Sequence, residues 1–421
     1  MFAGQVDNSV EAASCYLRAM IERIILCRAF IALLFIGCFS VLAKAQTEYQ
    51  QAWQLALLEM EDGDTLHLPE GTYTLSESLL VDGYDDVVII GAGMDKTILQ
   101  FEGQKDGAEG FKVTNCNRFT MQDFGIFNTA GDAIKTQMCD QIAFLNVETS
   151  WTGKPKSTNG SYGLYPVQCT NVLIDGCKAR GASDAGIYVG QSDEVIVRNC
   201  HAIENVAGIE IENTTNAKVY DNLAENNTGG ILVFDLPGLI KKKGGNVTVY
   251  DNRVLNNNLK NFAPKGNIVA QVPPGTGVMI LAVSDVTIRN NTINGHKTTS
   301  IAVVSYYITE LEIQDSAYDP FPQDIYITRN KIYREKQWPT LGNKIGKLLA
   351  WKFRRDVPPI MYDGITPETL KGQDIPTGSN EVHLISNKVD FAILDAARGF
   401  KNLERNPAGF EQDFIDRPLK F

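Results

Sequence analysis

The stretch Ser183–Cys200, SDAGIYVGQSDEVIVRNC, is followed by Val206–Asn222, VAGIEIENTTNAKVYDN, which repeats it with one kind of change. Ile187 and Val189 return as Ile209 and Ile211, whereas Tyr188 returns as Glu210. Apolar residues kept at alternate positions mark a half-buried strand, in which neighbouring side chains point to opposite faces. The positions that stay apolar face inward, and those that change face outward.

The same phrase recurs along the chain. Small residues precede short apolar strands at Gly110, Ala133, Gly163, Gly186, Gly208, Gly230, Gly277 and Ser300, at intervals of 23, 30, 23, 22, 22, 47 and 23. A base period near 22 with a few insertions means stacked supersecondary units. Positions one and three after each anchor are mostly apolar, and a second apolar pair follows at nine and eleven, as in Val195 and Val197. Thirteen after the anchor an Asn or Asp recurs (Asp123, Asn146, Asn199, Asp221, Asn290), a residue type that tolerates a left-handed corner and can bond its neighbours above and below. Two or three strands per coil, with no helices between, predict an all-β fold: a right-handed parallel β-helix, the hand following from the crossover rule.

The remaining chain fits around that solenoid. Residues 1–45 are expected to be an export signal: Arg28 precedes an apolar run, and Ala43-Lys44-Ala45 fits a cleavage site, leaving a mature chain from about Gln46. The true start is expected at Met20, and a lipoprotein attachment at Cys38 is the weaker alternative. The apolar run is too short for a comfortable membrane span, so the mature chain is expected to have none and to work in the periplasm, on the outer surface or in the medium. Residues 46–62 predict a capping helix, 63–335 the β-helix, and 336–421 a last coil with capping loops. Five cysteines remain after the leader: Cys116, Cys139 and Cys169 in one coil column, Cys177 and Cys200 in another. They are expected as inward ladders of buried free thiols in preference to disulfides, and no CxxC pair suggests zinc. A net charge of −11 excludes an ordinary nucleic-acid binder, though not a local basic pocket for an acidic polysaccharide.

The segments DGDTLHLPEGTYTL, VVIIGAGMDKTIL, SYGLYPVQC, SDAGIYVGQS, VAGIEIENT and TGGILVFDLPG together resemble a family of exported parallel β-helix repeat proteins, from about Trp53 to Arg329. That family has no established activity, so the resemblance implies fold and export and no catalytic residues. More widely the chain resembles the pectate-lyase-like superfamily of polysaccharide lyases, hydrolases and uronan epimerases, and periplasmic copper-accessory β-helix proteins. YGLYP from Tyr162 is similar to the YG-x-D-P-H signature of mannuronan C5-epimerases, but Tyr165 and Val167 stand where that signature has its Asp and His.

Insertions at 151–160, 236–245, 256–275 and 306–323 all flank the first strand of a coil, and are expected to wall a groove for an extended acidic polysaccharide. Its floor is the outward column Lys112, Lys135, Tyr165, Tyr188, Glu210, Leu232, Met279 and Ala302, with Gln137 and Glu212 two residues on and Asp132, Tyr162 and Asp184 at the strand entrances. β-Elimination on a uronan needs a cation at the sugar carboxylate, a base and an acid. Lys135, Tyr165, Tyr188 and Glu210 are the candidate catalytic set; Lys112, Asp132, Gln137, Tyr162, Asp184 and Glu212 are candidate substrate contacts. Glu210 and Glu212 share one face and could hold calcium, although no cofactor is required. His67, His201, His296 and His383 show no metal-ligand spacing, and the KKKGG run from Lys241 reads as a solvated loop tip. Three readings stay open: an enzyme on acidic polysaccharide by β-elimination or related C5 chemistry, a non-catalytic glycan-binding or scaffold protein with an exported partner, and, less favoured, a metal-accessory role.

Overall fold

Alternate apolar residues with turn-forming corners close the chain into coils of three strands, one in each of three sheets. The computed structural model describes residues 49–373, 382–385 and 389–406; the expected leader, with Met20, Cys38 and the cleavage site, lies outside them. The chain divides into two compact units, Met1–Trp53 and Gln54–Phe421. Of the first only residues 49–53 are described, and they are helical.

Among the described residues of the second unit three sheets of 12, 11 and 10 strands run along the stack, each strand pairing in parallel with its counterpart in the next coil except the last, Glu404–Arg405, which lies antiparallel to Phe391–Ile393. The register follows the repeat: Ile187 pairs with Ile209, Tyr188 with Glu210 and Val189 with Ile211. In the coil that begins at Gly186 the strands are Ala185–Gly190, Asp193–Arg198 and His201–Ile203. The three-residue third strand is the one that periodicity alone left undecided. Ile187, Val189, Val195, Val197 and Ala202 of that coil are all buried inside it. Removing one such side chain, as in Ile187→Ala, should cost about 2–5 kcal/mol, because a packed coil relaxes only partly into the void. The corners Asp123, Asn146, Asn199, Asp221 and Asn290 all sit at φ between 51° and 58°, the left-handed region that Asn and Asp tolerate best.

Two buried asparagine ladders staple the coils together. Asn205, Asn227 and Asn257 pass side-chain hydrogen bonds from coil to coil, each amide donating to the next at 2.9–3.1 Å. The ladder ends where Asn257 meets His296 at 3.1 Å. A second runs through Asn222, Asn252, Asn291 and Asn330 at 3.0 Å per step. Its head is Cys200, whose backbone N–H donates to Asn222. Cys177 and Cys200 therefore share a column with these asparagines. The other thiol column continues as Ser192 and Thr214, which accept the N–H groups of Cys169 and Ser192. All five cysteines among the described residues are free and buried.

Both ends of the described stack are covered. Residues 54–58 are helical, and Gln54 exchanges two hydrogen bonds with the backbone of Leu80 on the strand Glu77–Asp82. At the other end the helix Lys344–Phe353, capped by Asn343, precedes the strands Ile360–Tyr362 and Phe391–Ile393, which extend the 12-stranded sheet. No helix among the described residues is long and apolar enough to cross a membrane.

Candidate functional site

The 12-stranded sheet carries the outward column in the order read from the sequence. Lys112 pairs with Lys135 and Lys135 with Tyr165; Tyr188 pairs with Glu210, Glu210 with Leu232, Leu232 with Met279 and Met279 with Ala302. The expected open floor is corrected over most of that length. Tyr188 is 4 % exposed, Glu210 1 %, Glu212 7 % and Asp184 4 %, and Leu232 and Ala302 are buried as well. Two insertions fold over the column instead of standing beside it. The strap 256–275 places Val269 and Val272, and the loop 306–323 places Tyr306 and Tyr318, into one buried cluster with Tyr188, Leu232 and Phe234. Tyr188 and Glu210 thus lie under a lid, out of reach of an extended polymer.

The lid is held by polar contacts. Asn267 donates to Asp184 at 2.8 Å, and the Tyr318 hydroxyl donates to the Asp235 carbonyl at 2.6 Å. The KKKGG run keeps Lys242 and Lys243 in solvent, as expected of a loop tip, and also works as a clasp. Lys241 donates to the Ser192 carbonyl and the Thr215 hydroxyl, while Lys242 meets Asp315 at 2.7 Å and ties the insertion 236–245 to the loop 306–323.

Beside the lid the column opens. Lys112, Lys135, Gln137, Asp132, Tyr162 and Tyr165 are all half-buried. The rings of Tyr162, Tyr165 and Tyr188 pack mutually with centroids 4.4, 4.6 and 4.9 Å apart. The Lys135 ammonium lies 5.1 Å from the centre of the Tyr165 ring. Tyr188 runs from this open end to the covered one, donating from its hydroxyl to Glu212 Oε1 at 2.7 Å. It can do so because Gly190, two residues on, leaves the space that a Cβ would take. Gln137 is turned away to bond Gln168 at 3.0 Å.

Burial sets the electrostatics. The Asp132 carboxyl is pushed up to about 6 by burial, against the pull of the Tyr162 N–H and the Lys135 charge. Asp184 is likewise raised to about 6 by burial, opposed by Asn267, with the charge of Asp132 adding to the rise. Glu212 is raised to about 7 by burial, opposed by the bond from Tyr188. Glu210 is held well above the carboxylate range by burial and by the charges of Asp184 and Glu212, and its Oε2 has no hydrogen-bond partner among the described residues. Tyr165 is pushed up to about 12 by burial and by Asp132, so its hydroxyl keeps its proton at neutral pH.

Among the described residues no group of three or more His, Cys, Asp or Glu is arranged to hold a metal ion. Glu210 and Glu212 lie on one strand face, and Glu212 is engaged by Tyr188. The four histidines are scattered: His201 pairs with Glu225, His296 ends a ladder and His383 stacks on Tyr326.

Residues 109–266 and 146–317 match, as two overlapping segments, a family model described as the right handed beta helix region. The chain is a right-handed β-helix protein. The pre-neck appendage protein of Bacillus phage B103 is 22 % identical over 258 aligned positions, and the match covers 52 % of this chain. The same stretch is 28 % of the phage protein, so this β-helix spans under a third of the curated relative it matches. Among solved structures, the A-module of the Azotobacter vinelandii mannuronan C-5 epimerase AlgE6 is 16 % identical, covers 81 % of this chain and 87 % of its own, and has a TM-score of 0.49. The Erwinia carotovora polygalacturonase is 12 % identical over 65 % of this chain and 80 % of its own, with a TM-score of 0.48. These similarities concern the stacked-coil architecture alone.

Three residues of this β-helix that shape the site were not singled out from sequence: Asn267, Tyr318 and Asp235. Asp235 is buried and raised to about 7, its two carboxylate oxygens each 3.0 Å from the Gly244 N–H. A signal for the strap did exist. Its NIVAQVPP run from Asn267 is too apolar for a loop that stays in water.

Proposed function

We propose that this β-helix binds an acidic polysaccharide outside the cytoplasm at the open end of the column, and acts on it by β-elimination or a related C5 proton transfer. The observation that carries this is the in-register stack Lys112–Lys135–Tyr165 beside Asp132, half-exposed at the edge of the lid. Each group suits one need of the chemistry. Lys135, supported by Lys112, neutralises a uronate carboxylate, which acidifies the adjacent C–H. Asp132, raised to about 6, is mostly ionised at neutral pH yet basic enough to take that proton. Tyr165 keeps its proton and donates it to the leaving oxygen. Tyr162 and Tyr188 hold the Tyr165 ring by packing, and Glu210 becomes structural.

The burial of Tyr188, Glu210 and Glu212 favours a second reading, a β-helix that binds glycan or an exported partner without chemistry. One experiment separates the two. Mature protein is mixed with a panel of uronic-acid polysaccharides, following the ultraviolet absorbance of the unsaturated product and, in parallel, retention on insoluble polymer. Absorbance that Lys135→Ala and Asp132→Asn abolish supports the lyase. Retention without absorbance or solvent proton exchange leaves the binding protein. Loss of neither property in Lys135→Ala sinks both.

A further inference from the structure

Beyond Glu210 the same outward column turns apolar and ends in a pocket. Met279, Ala302 and Met361 form its floor, the strap residues Ile268 and Val272 one wall, and Ile308 another, around a cavity of about 110 Å³. The floor residues stand in register on three successive coils, so the backbone beneath them is already hydrogen-bonded.

The polar side chains in the lining are already engaged. Thr298 donates to the Pro274 carbonyl, Thr299 to the Ile301 carbonyl at 3.0 Å and Thr309 to the Tyr306 carbonyl at 2.8 Å. Asp363 accepts the N–H groups of Ser305 and Ile365 at 2.7 and 3.0 Å. Gln271, the remaining polar residue of the lining, is exposed at the mouth. A water inside needs two to four polar partners, and these walls offer it almost none. An apolar cavity of about 150 Å³ stays dry and takes up benzene, so one of this size matches a single small ring or a short branched chain. The Asp363 carboxylate, the one charged group in the lining, disfavours an anionic ligand.

We propose that this pocket is a binding site for a compact, uncharged apolar molecule or substituent, about one aromatic ring in size. The unbranched Met279 and Met361 side chains give a floor that adapts to shape, as methionine-lined sites do. The site is separate from the open lysine–tyrosine end and does not depend on what binds there. It shares the strap with it: Ile268 walls the pocket while its neighbour Asn267 holds Asp184. An occupied pocket therefore fastens the strap over Glu210.

The test is a titration of the mature chain, carrying ¹³C-methyl methionine, with toluene, and with glycerol as the polar control. Saturable shifts of the Met279 and Met361 methyl signals are expected, with those of Met60, Met94, Met121 and Met138 unmoved. The Tm should rise with the logarithm of toluene concentration once the site fills, as for any ligand that binds only the folded state. Ala302→Phe, which fills the cavity from its floor, should abolish both effects; Ile308→Trp, from the lid side, is the second filler should the first fail to fold. Shifts that do not saturate, that glycerol reproduces, or that persist in a folded filled variant would overturn the proposal.

Discussion

Replacing Glu212 by glutamine should abolish much of the loss of stability that the wild-type chain suffers as pH rises from about 5 to about 8. Glu212 is buried under the strap, and burial raises its carboxyl from 4.5 to about 7. A carboxyl whose folded pKa lies above its unfolded value binds its proton more tightly when folded. Its contribution is fully present below about 4.5 and is lost as pH rises through about 7. The rise is roughly 2.5 pH units at about 1.4 kcal/mol each, so the loss attributable to Glu212 alone is about 3 kcal/mol, reached above pH about 7.5. A glutamine amide in place of the carboxyl still accepts the Tyr188 hydroxyl, so packing and hydrogen bonding are kept. The assay is urea denaturation of wild type and Glu212→Gln across that pH range, followed by circular dichroism. Wild type should lose stability steadily, and the variant should lose less by about 3 kcal/mol, overtaking wild type above neutrality. Parallel pH profiles would refute the reasoning, because they would mean that Glu212 is solvated and the strap stands open in solution.

Four further outcomes are expected. Burial pushes His296 down to about 3, so its stabilising contribution is present above its ordinary 6.5 and is lost as pH falls below it. His296→Asn, which continues the ladder from Asn257, should therefore outlast wild type in acid, as thermal melts at pH about 4.5 will show. Asn227→Ala orphans buried partners on both sides, Asn205 and Asn257, and should cost about 3 kcal/mol or more in urea unfolding. Asn226→Gly, at a corner with φ 55°, should cost almost nothing by the same measurement. Gly190→Ala sets a methyl against the Tyr188 hydroxyl and ring; the displaced tyrosine should lose its bond to Glu212, read as a lower Tm and altered tyrosine near-ultraviolet dichroism.

The repeat was legible because it answers to the strongest constraint on the chain. Inward columns such as Ile187–Ile209–Ile231 must stay apolar, and a slip of one residue would turn every one of them to the outside. The corner Asn and Asp residues were legible for a similar reason, since of the non-glycine residues these two accept a left-handed backbone most readily. The asparagine ladders were missed although their residues stood in plain view. Insertions spread Asn222, Asn252, Asn291 and Asn330 to separations of 30, 39 and 39 residues, which hides the column from a period of 22.

The candidate site divides in the same way. Sequence alone determined the strand period, the inward faces, the order of the column Lys112–Lys135–Tyr165–Tyr188–Glu210 and the places where extra chain is inserted, because all of these are local or repeat-periodic. Only the tertiary structure decided that the column is open at Lys135 and closed at Glu210. That outcome depends on Asn267 reaching Asp184 and Tyr318 reaching Asp235, each across 83 residues. An inserted loop carries no period, and whether it stands as a wall or lies down as a lid is settled by the apolar surface beneath it.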